Sequence, residues 1–312
     1  MNPPGGSRAD GSASPRALWG WILALLIGLL AVAALALLAF GGSGADLGKG
    51  CVGVIGVKGE IVAEDSAGSL FASGTAGSTT IAGLIEEAER RADVKAIMVE
   101  IDSPGGSTTG SREIYAALKK SKKPKVAYLR EMAASGGYYV AVGTDYIVSE
   151  PDALTGSIGV RSTFSDLSGL FAKLGYNETV IKSGELKDMG SSSRPPTEKE
   201  LQIMQAIVNE SFDEFKGIVM ADRGSRLKQP QFDEVLDARV LSGRQALAIG
   251  MVDELGNRHD AVQKAGEMAG DKTLGACAIQ TRPQGLLSRL FSGTLTLPAL
   301  PRMSGGWSLS YS

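Results

Sequence analysis

Apolar and polar positions along this chain change period several times, and those changes predict its elements. Residues 18–40 carry no charge; as a helix this run is about 35 Å long, enough to cross a bilayer. Beyond it, Val52-Gly53-Val54-Ile55-Gly56-Val57 is a short β-rich run, followed by a Gly/Ser/Ala-rich stretch over 66–79. From Thr80 the period turns helical, with Ile81, Leu84, Ile85 and Ala88 at i, i+3, i+4 and i+7. Residues 94–101 then read as a buried strand, 107–119 as a helix with Ile114 and Leu118 on one face, and 125–129 as a strand. A short helix after Ser135 and a strand over 146–148 continue the alternation. Strands and helices in this order predict an α/β fold, a parallel sheet with crossover helices. A longer amphipathic helix is predicted over 197–223 with Thr197 as its N-cap, and two more over 240–248 and 259–268. No internal repeat is visible, which favours one unit over a tandem duplication.

The same patterning divides the 312 residues into a Pro/Gly/Ser-rich tail over 1–17, an apolar anchor over 18–40, a linker over 41–50, a folded domain over 51–280 and a flexible tail over 281–312. Arg8 and Arg16 precede the apolar run, while Asp46 and Lys49 follow it, so the positive-inside rule places the N-terminus in the cytoplasm and the folded domain outside. A cleaved signal peptide is the competing reading. Its apolar region is shorter, about 7 to 15 residues, and ends at a small-residue cleavage site; here Gly41-Gly42-Ser43-Gly44-Ala45 reads as a linker. Cys51 has no lipobox before it, which excludes lipid acylation there. In the C-terminal tail Leu286-Leu287-Ser288-Arg289-Leu290-Phe291 is a candidate for membrane or partner contact.

A net charge of -2 with no basic block gives no footing for nucleic acid. One histidine and two distant cysteines cannot assemble a zinc site, so no metal or cofactor is expected. Cys51 and Cys277 read as two buried free thiols in strands, with pairing open in an oxidising compartment.

Candidate chemistry gathers on Met132-Ala133-Ala134-Ser135-Gly136-Gly137-Tyr138-Tyr139. Ser135 follows a strand and precedes a helix, so its hydroxyl lies where free amides and the helix dipole favour a developing negative charge. Taken alone, an N-cap serine is the commoner reading there. Ser103-Pro104-Gly105-Gly106 also joins a strand to a helix, and its glycines can turn amides into a cleft. The one histidine, His259, stands in a polar stretch that starts a helix and is a poor base for Ser135. A lysine base remains, since Ser-Lys pairs are a variant of the same constellation. Lys187 and Lys182, in Ile181-Lys182-Ser183-Gly184-Glu185-Leu186-Lys187-Asp188, are the two candidates, each set against the plain reading of a solvated charge. Were this segment extended, Asp188 would point away from the Lys187 ammonium.

Four ordered motifs, Ile101-Asp102-Ser103-Pro104-Gly105-Gly106, Ala133-Ala134-Ser135-Gly136-Gly137-Tyr138-Tyr139, Thr155-Gly156-Ser157-Ile158-Gly159-Val160 and Ser183-Gly184-Glu185-Leu186-Lys187-Asp188-Met189-Gly190, resemble the bacterial signal peptide peptidase SppA family in its short form. The resemblance covers about residues 51–280. It implies a ClpP/crotonase-like fold and a membrane-anchored serine protease of the cell inner membrane that degrades remnant signal peptides and other apolar peptides. By the same resemblance Ser135 is the nucleophile and Lys187 the general base. Gly105 or Gly106, with an amide beside the nucleophile at Gly136, forms the oxyanion hole, and Ser157 orients the lysine. It further implies a homo-octamer whose active sites are shared between protomers. Two departures stand out: Ser191-Ser192-Ser193 replaces the usual Ser-Pro-Phe, and Glu131-Met132 replaces the usual Asp-Val before the serine segment. Other readings are a stomatin-operon-type protease that cuts one membrane partner, a crotonase-type acyl-CoA enzyme, and a membrane-tethered scaffold without catalysis.

Overall fold

A computed structural model describes residues 25–32, 50–64, 74–279 and 310–311. The chain divides into two compact units, Met1–Lys49 and Gly50–Ser312. In the first, 25–32 form helix α1, whose Leu25, Ile27, Leu30 and Val32 are exposed. The rest of the anchor expected over 18–40 lies outside the described residues, as do the tail over 1–17 and most of the linker. Among the described residues no helix is long and apolar enough to cross a membrane.

The second unit is α/β. Its main sheet runs β10 (Glu254–Leu255), β7 (Tyr146–Ser149), β6 (Lys125–Ala134), β4 (Val94–Ser103), β1 (Cys51–Lys58) and β11 (Gly275–Ala278), all parallel. Beyond their first halves the strands diverge: the end of β6 pairs with β8 (Leu154–Gly156), and β8 pairs antiparallel with β9 (Val240–Ser242). A smaller sheet holds β2 (Glu60–Val62), β3 (Thr75–Gly77), β5 (Gly106–Ser107) and β12 (Ser310–Tyr311).

β4 is buried almost without a break, from Val94 to Ile101 apart from Lys95, as a strand covered on both faces must be. On one face lie α2 (Ser78–Arg90), α3 (Thr108–Lys120), α4 (Gly136–Val142) and the long α6 (Glu198–Arg223), which bury Ile55, Val57, Ile97, Val99, Ile101, Tyr139 and Phe215 together. The other face is covered by α9 (Arg258–Met268), whose Ala261, Val262 and Ala265 meet Val52, Met98 and Val126. The short α5 (Ser168–Leu174), α7 (Gln231–Glu234) and α8 (Gly243–Ala248) complete the unit. Thr197 caps α6 as expected, in a reciprocal box with Glu200.

Two expectations need correction. Residues 240–242 are strand β9 and only Gly243–Ala248 is helical, because Ser242 caps α8 with Gln245 and breaks the helix that periodicity alone would start earlier. Cys51 and Cys277 are a disulfide and not free thiols: parallel pairing of β1 with β11 sets Cys277 opposite Gly53 and brings the two Cα atoms to 5.9 Å. This bond clips edge strand β11 to the sheet across 226 residues of chain. Replacing both cysteines by serine is expected to lower stability by about 2–4 kcal/mol, read as a drop in Tm that reductant reproduces in the native chain and not in the variant.

Candidate active site

Three strand ends converge on Ser135. It ends β6 and opens α4, and its backbone N–H donates to Gly156 O at 2.8 Å, at the end of β8. Its φ of 52° and ψ of -117° lie in a region that L-residues with a Cβ rarely occupy, at a cost of about 1–3 kcal/mol. The residue is 0% exposed and its Oγ is one of two buried side-chain polar atoms without a hydrogen-bond partner among the described residues. A buried, unpartnered hydroxyl on strained backbone destabilises a fold, so its persistence points to chemistry.

The turn from β4 into α3 lies directly against this serine. A Cβ on Gly136 would stand 2.4 Å from Ser111 Oγ and 3.2 Å from both Gly105 Cα and the Gly106 nitrogen. At Gly106, with φ of 149°, a Cβ would meet Ile61 O at 2.1 Å, so only glycine lets β5 lie against β2. The two candidate amides of this turn differ in use. Gly105 N–H donates to Ser103 Oγ at 3.1 Å, whereas the Gly106 nitrogen sits beside Gly136. The Gly136 amide heads α4, where helical N–H groups have no intrahelical acceptor. Ser103 and Ser111, which sequence reasoning assigned no role, are both fully buried and hold this turn, Ser111 Oγ donating to Ser107 O at 2.9 Å. The edge of β5 away from β2 pairs antiparallel with Ser310–Tyr311, so it accepts an extended chain; the remainder of the tail from 281 lies outside the described residues.

Ser157 follows Gly156 directly, with φ of 51° and its N–H on Arg239 O at 2.9 Å, and so sits next to the serine segment. The structure thus brings Ser135, Gly105, Gly106, Gly136 and Ser157 together. It does not bring Lys187 to Ser135 within one chain, because the serine hydroxyl has no partner while Lys187 is exposed. The lysine segment is a series of turns and not extended, with Lys187 N–H on Gly184 O at 3.1 Å and Met189 N–H on Leu186 O at 3.1 Å. Asp188 still turns away from Lys187, but because its carboxylate is held by Lys182 Nζ at 2.6 Å and by Arg194. Lys182 is thereby engaged, whereas the Lys187 ammonium has no hydrogen bond or ion pair among the described residues. Beside this turn Leu170, Leu174, Tyr176 and Ile181 expose apolar side chains, Ile181 at 93%.

His259 is remote from this chemistry: it lies at the start of α9, lining a cavity of about 770 Å³ with Tyr128, Glu150 and Lys272. Among the described residues no cluster of His, Cys, Asp or Glu could hold a metal.

A family model described as peptidase family S49 matches residues 117–272. A relative from Methanocaldococcus jannaschii named as a protease is 36% identical over 188 residues, 60% of this chain and 60% of its own length. One from Synechocystis, also named as a protease, is 42% identical over 177 residues, 56% of this chain and 63% of its own. One from Enterococcus faecium named signal peptide peptidase SppA is 38% identical over 172 residues, 54% of this chain and 49% of its own. The match thus spans from about half to less than two thirds of the length of each of these relatives.

Proposed function

This chain belongs to peptidase family S49, and on that footing we propose that it is a membrane-anchored serine endopeptidase of ClpP/crotonase-like fold, working through Ser135 and Lys187. The observation that carries this reading is the buried, unpartnered Ser135 hydroxyl on strained backbone, flanked by the Gly106 and Gly136 amides. A neutral Lys187 amine takes the Ser135 proton as Oγ bonds to a peptide carbonyl carbon. The oxyanion is met by the N–H groups of Gly106 and Gly136. Lys187 then passes the proton to the leaving amine, the C–N bond breaks and an ester to Ser135 remains. Water, deprotonated by the same amine, attacks the ester; the acyl–Oγ bond breaks, the ammonium returns its proton to Ser135 Oγ, and the acid is released. Ser157 orients the amine, and the substrate lies as an antiparallel strand along the edge of β5.

Because Ser135 and Lys187 do not meet within one chain, the base comes from a neighbouring protomer, and the exposed apolar side chains beside the Lys187 turn supply the contact. The octamer of the short-form family is the assembly this reading adopts. The apolar run over 18–40 supports a single-pass anchor with the N-terminus in the cytoplasm, and the Cys51–Cys277 disulfide supports an oxidising compartment for the domain, outside the inner membrane. Substrates are then apolar peptides left at the membrane, cleaved signal peptides among them.

An unperturbed lysine titrates near ~10.4 and acts as a base only when neutral. Cleavage of a fluorogenic apolar peptide is therefore expected to rise from neutral to alkaline pH, and a fluorophosphonate serine probe to label Ser135 with the same rise. Activity that peaks below neutrality would exclude a lysine base.

A further inference from the structure

The turn that carries Lys187 is tied to α6 by two side-chain links, Glu185 with Lys199 and Asp188 through Arg194 to Glu200. Arg194 donates from Nε to Asp188 Oδ2 at 3.1 Å and from Nη2 to Asp188 Oδ1 at 2.9 Å, a two-pronged grip on the residue after the lysine. Its Nη1 donates to Glu200 Oε2 at 3.0 Å. The Glu200 side chain is 1% exposed, and its Oε2 also accepts the Thr197 N–H at 2.8 Å, so the carboxylate is locked into the first turn of α6. Arg194 thus bridges the Lys187 turn and a 26-residue helix. Between the two ends, Ser191 and Ser193 hydroxyls meet at 2.8 Å and Ser192 O accepts the Leu167 N–H at 2.8 Å, which closes the segment where the usual Ser-Pro-Phe is replaced.

We infer that Arg194 is a positioning residue for the base: by gripping Asp188 against Glu200 it fixes the Lys187 turn and cancels the carboxylate next to that lysine. The inference rests on the assignment of Lys187 as the base. Charged groups around the turn are Lys182, Glu185 and Asp188 on it, Arg194 beyond it, Lys199 and Glu200 on α6, and Glu178, which shares a surface cavity with Ser192. Glu185 is paired with Lys199; Arg194 compensates both Asp188 and Glu200, and Lys182 gives Asp188 a second cation. Hydrogen bonds from Arg194, then Lys182, hold the Asp188 carboxyl well below the usual range, and Arg194 brings Glu200 down to about 2. Both carboxylates are therefore ionised throughout the range in which the enzyme would act, and the grip is intact there.

The test is the pH dependence of kcat and KM for the full chain in wild type, Arg194→Met, Arg194→Lys, Asp188→Asn and Lys187→Ala, with circular dichroism to confirm folding. Arg194→Met is expected to lower kcat about tenfold with KM within about twofold, since the base is displaced and substrate contacts are not. It leaves Asp188 with Lys182 alone and Glu200 without its cation, and the added negative charge favours the lysine ammonium, so the rising limb moves to higher pH by about half a unit. Arg194→Lys returns the limb and not the rate, because an ammonium carries the charge without the two-pronged geometry. Asp188→Asn moves the limb the other way, to lower pH. A wild-type profile in Arg194→Met, or a lower kcat with an unmoved limb, overturns the inference. If Arg194→Met does not fold, Asp188→Asn decides: an unmoved limb overturns it. An active Lys187→Ala instead overturns the assignment of the base itself.

Discussion

Replacing Ser135 by alanine is expected to lower peptide cleavage by about 10⁴-fold or more, because the proposed nucleophile is lost while the proposed oxyanion amides stay in place. Stability should move the opposite way. Within its own chain the Ser135 hydroxyl is buried without a partner, so for the unassembled chain its removal takes away a group whose desolvation is uncompensated, a gain of about 1–3 kcal/mol. Glycine at the same position also releases the strain of φ at 52°. Both variants are therefore inactive on a fluorogenic apolar peptide, and thermal unfolding should find each at least as stable as wild type. A variant that is inactive and clearly less stable would give the hydroxyl a structural role, and one that still cleaves would remove Ser135 from the mechanism.

Lys187→Ala is expected to lose activity on the same scale, whereas Lys182→Ala retains at least about a tenth of it, since Lys182 acts only through Asp188. The sharper result comes from combining dead chains. In one protomer the serine hydroxyl is unpartnered and the lysine is exposed, and the proposed reading takes the base from a neighbouring protomer. Co-expression of Ser135→Ala with Lys187→Ala chains then builds sites that take the serine from one and the lysine from the other. Random pairing restores about a quarter of wild-type activity per site. Co-assembled oligomers that stay inactive would refute shared sites and require a movement of the Lys187 turn within one chain.

Much of the α/β core was legible because its elements bury one face or two. Continuous apolar runs mark β4 and β6, and the 3.6-residue recurrence of Ile81, Ile85 and Ala88 marks α2, whose buried face holds those residues. The short strands β2, β3, β8 and β9 were not legible. Three residues carry no period, and their pairing is decided by neighbours distant in sequence. The helix assigned to 240–248 failed at its first turn for the same reason: antiparallel pairing of Val240 and Leu241 with β8 overrides local helical periodicity.

By itself the sequence determined the elements of the core, the absence of a second histidine that would permit more than one Ser-His arrangement, and the four motifs on which the candidate chemistry rests. These are local properties, set by side-chain polarity and by what glycine and serine allow the backbone to do. Tertiary structure alone decided that Gly105 N–H turns to Ser103 while Gly106 faces the serine segment, that Cys51 and Cys277 bond, and that Arg194 holds Asp188. It also decided that Ser135 and Lys187 stand apart in one chain. Each of these depends on distances between residues brought together by strand register and helix packing, and such distances are not encoded in any single stretch of chain.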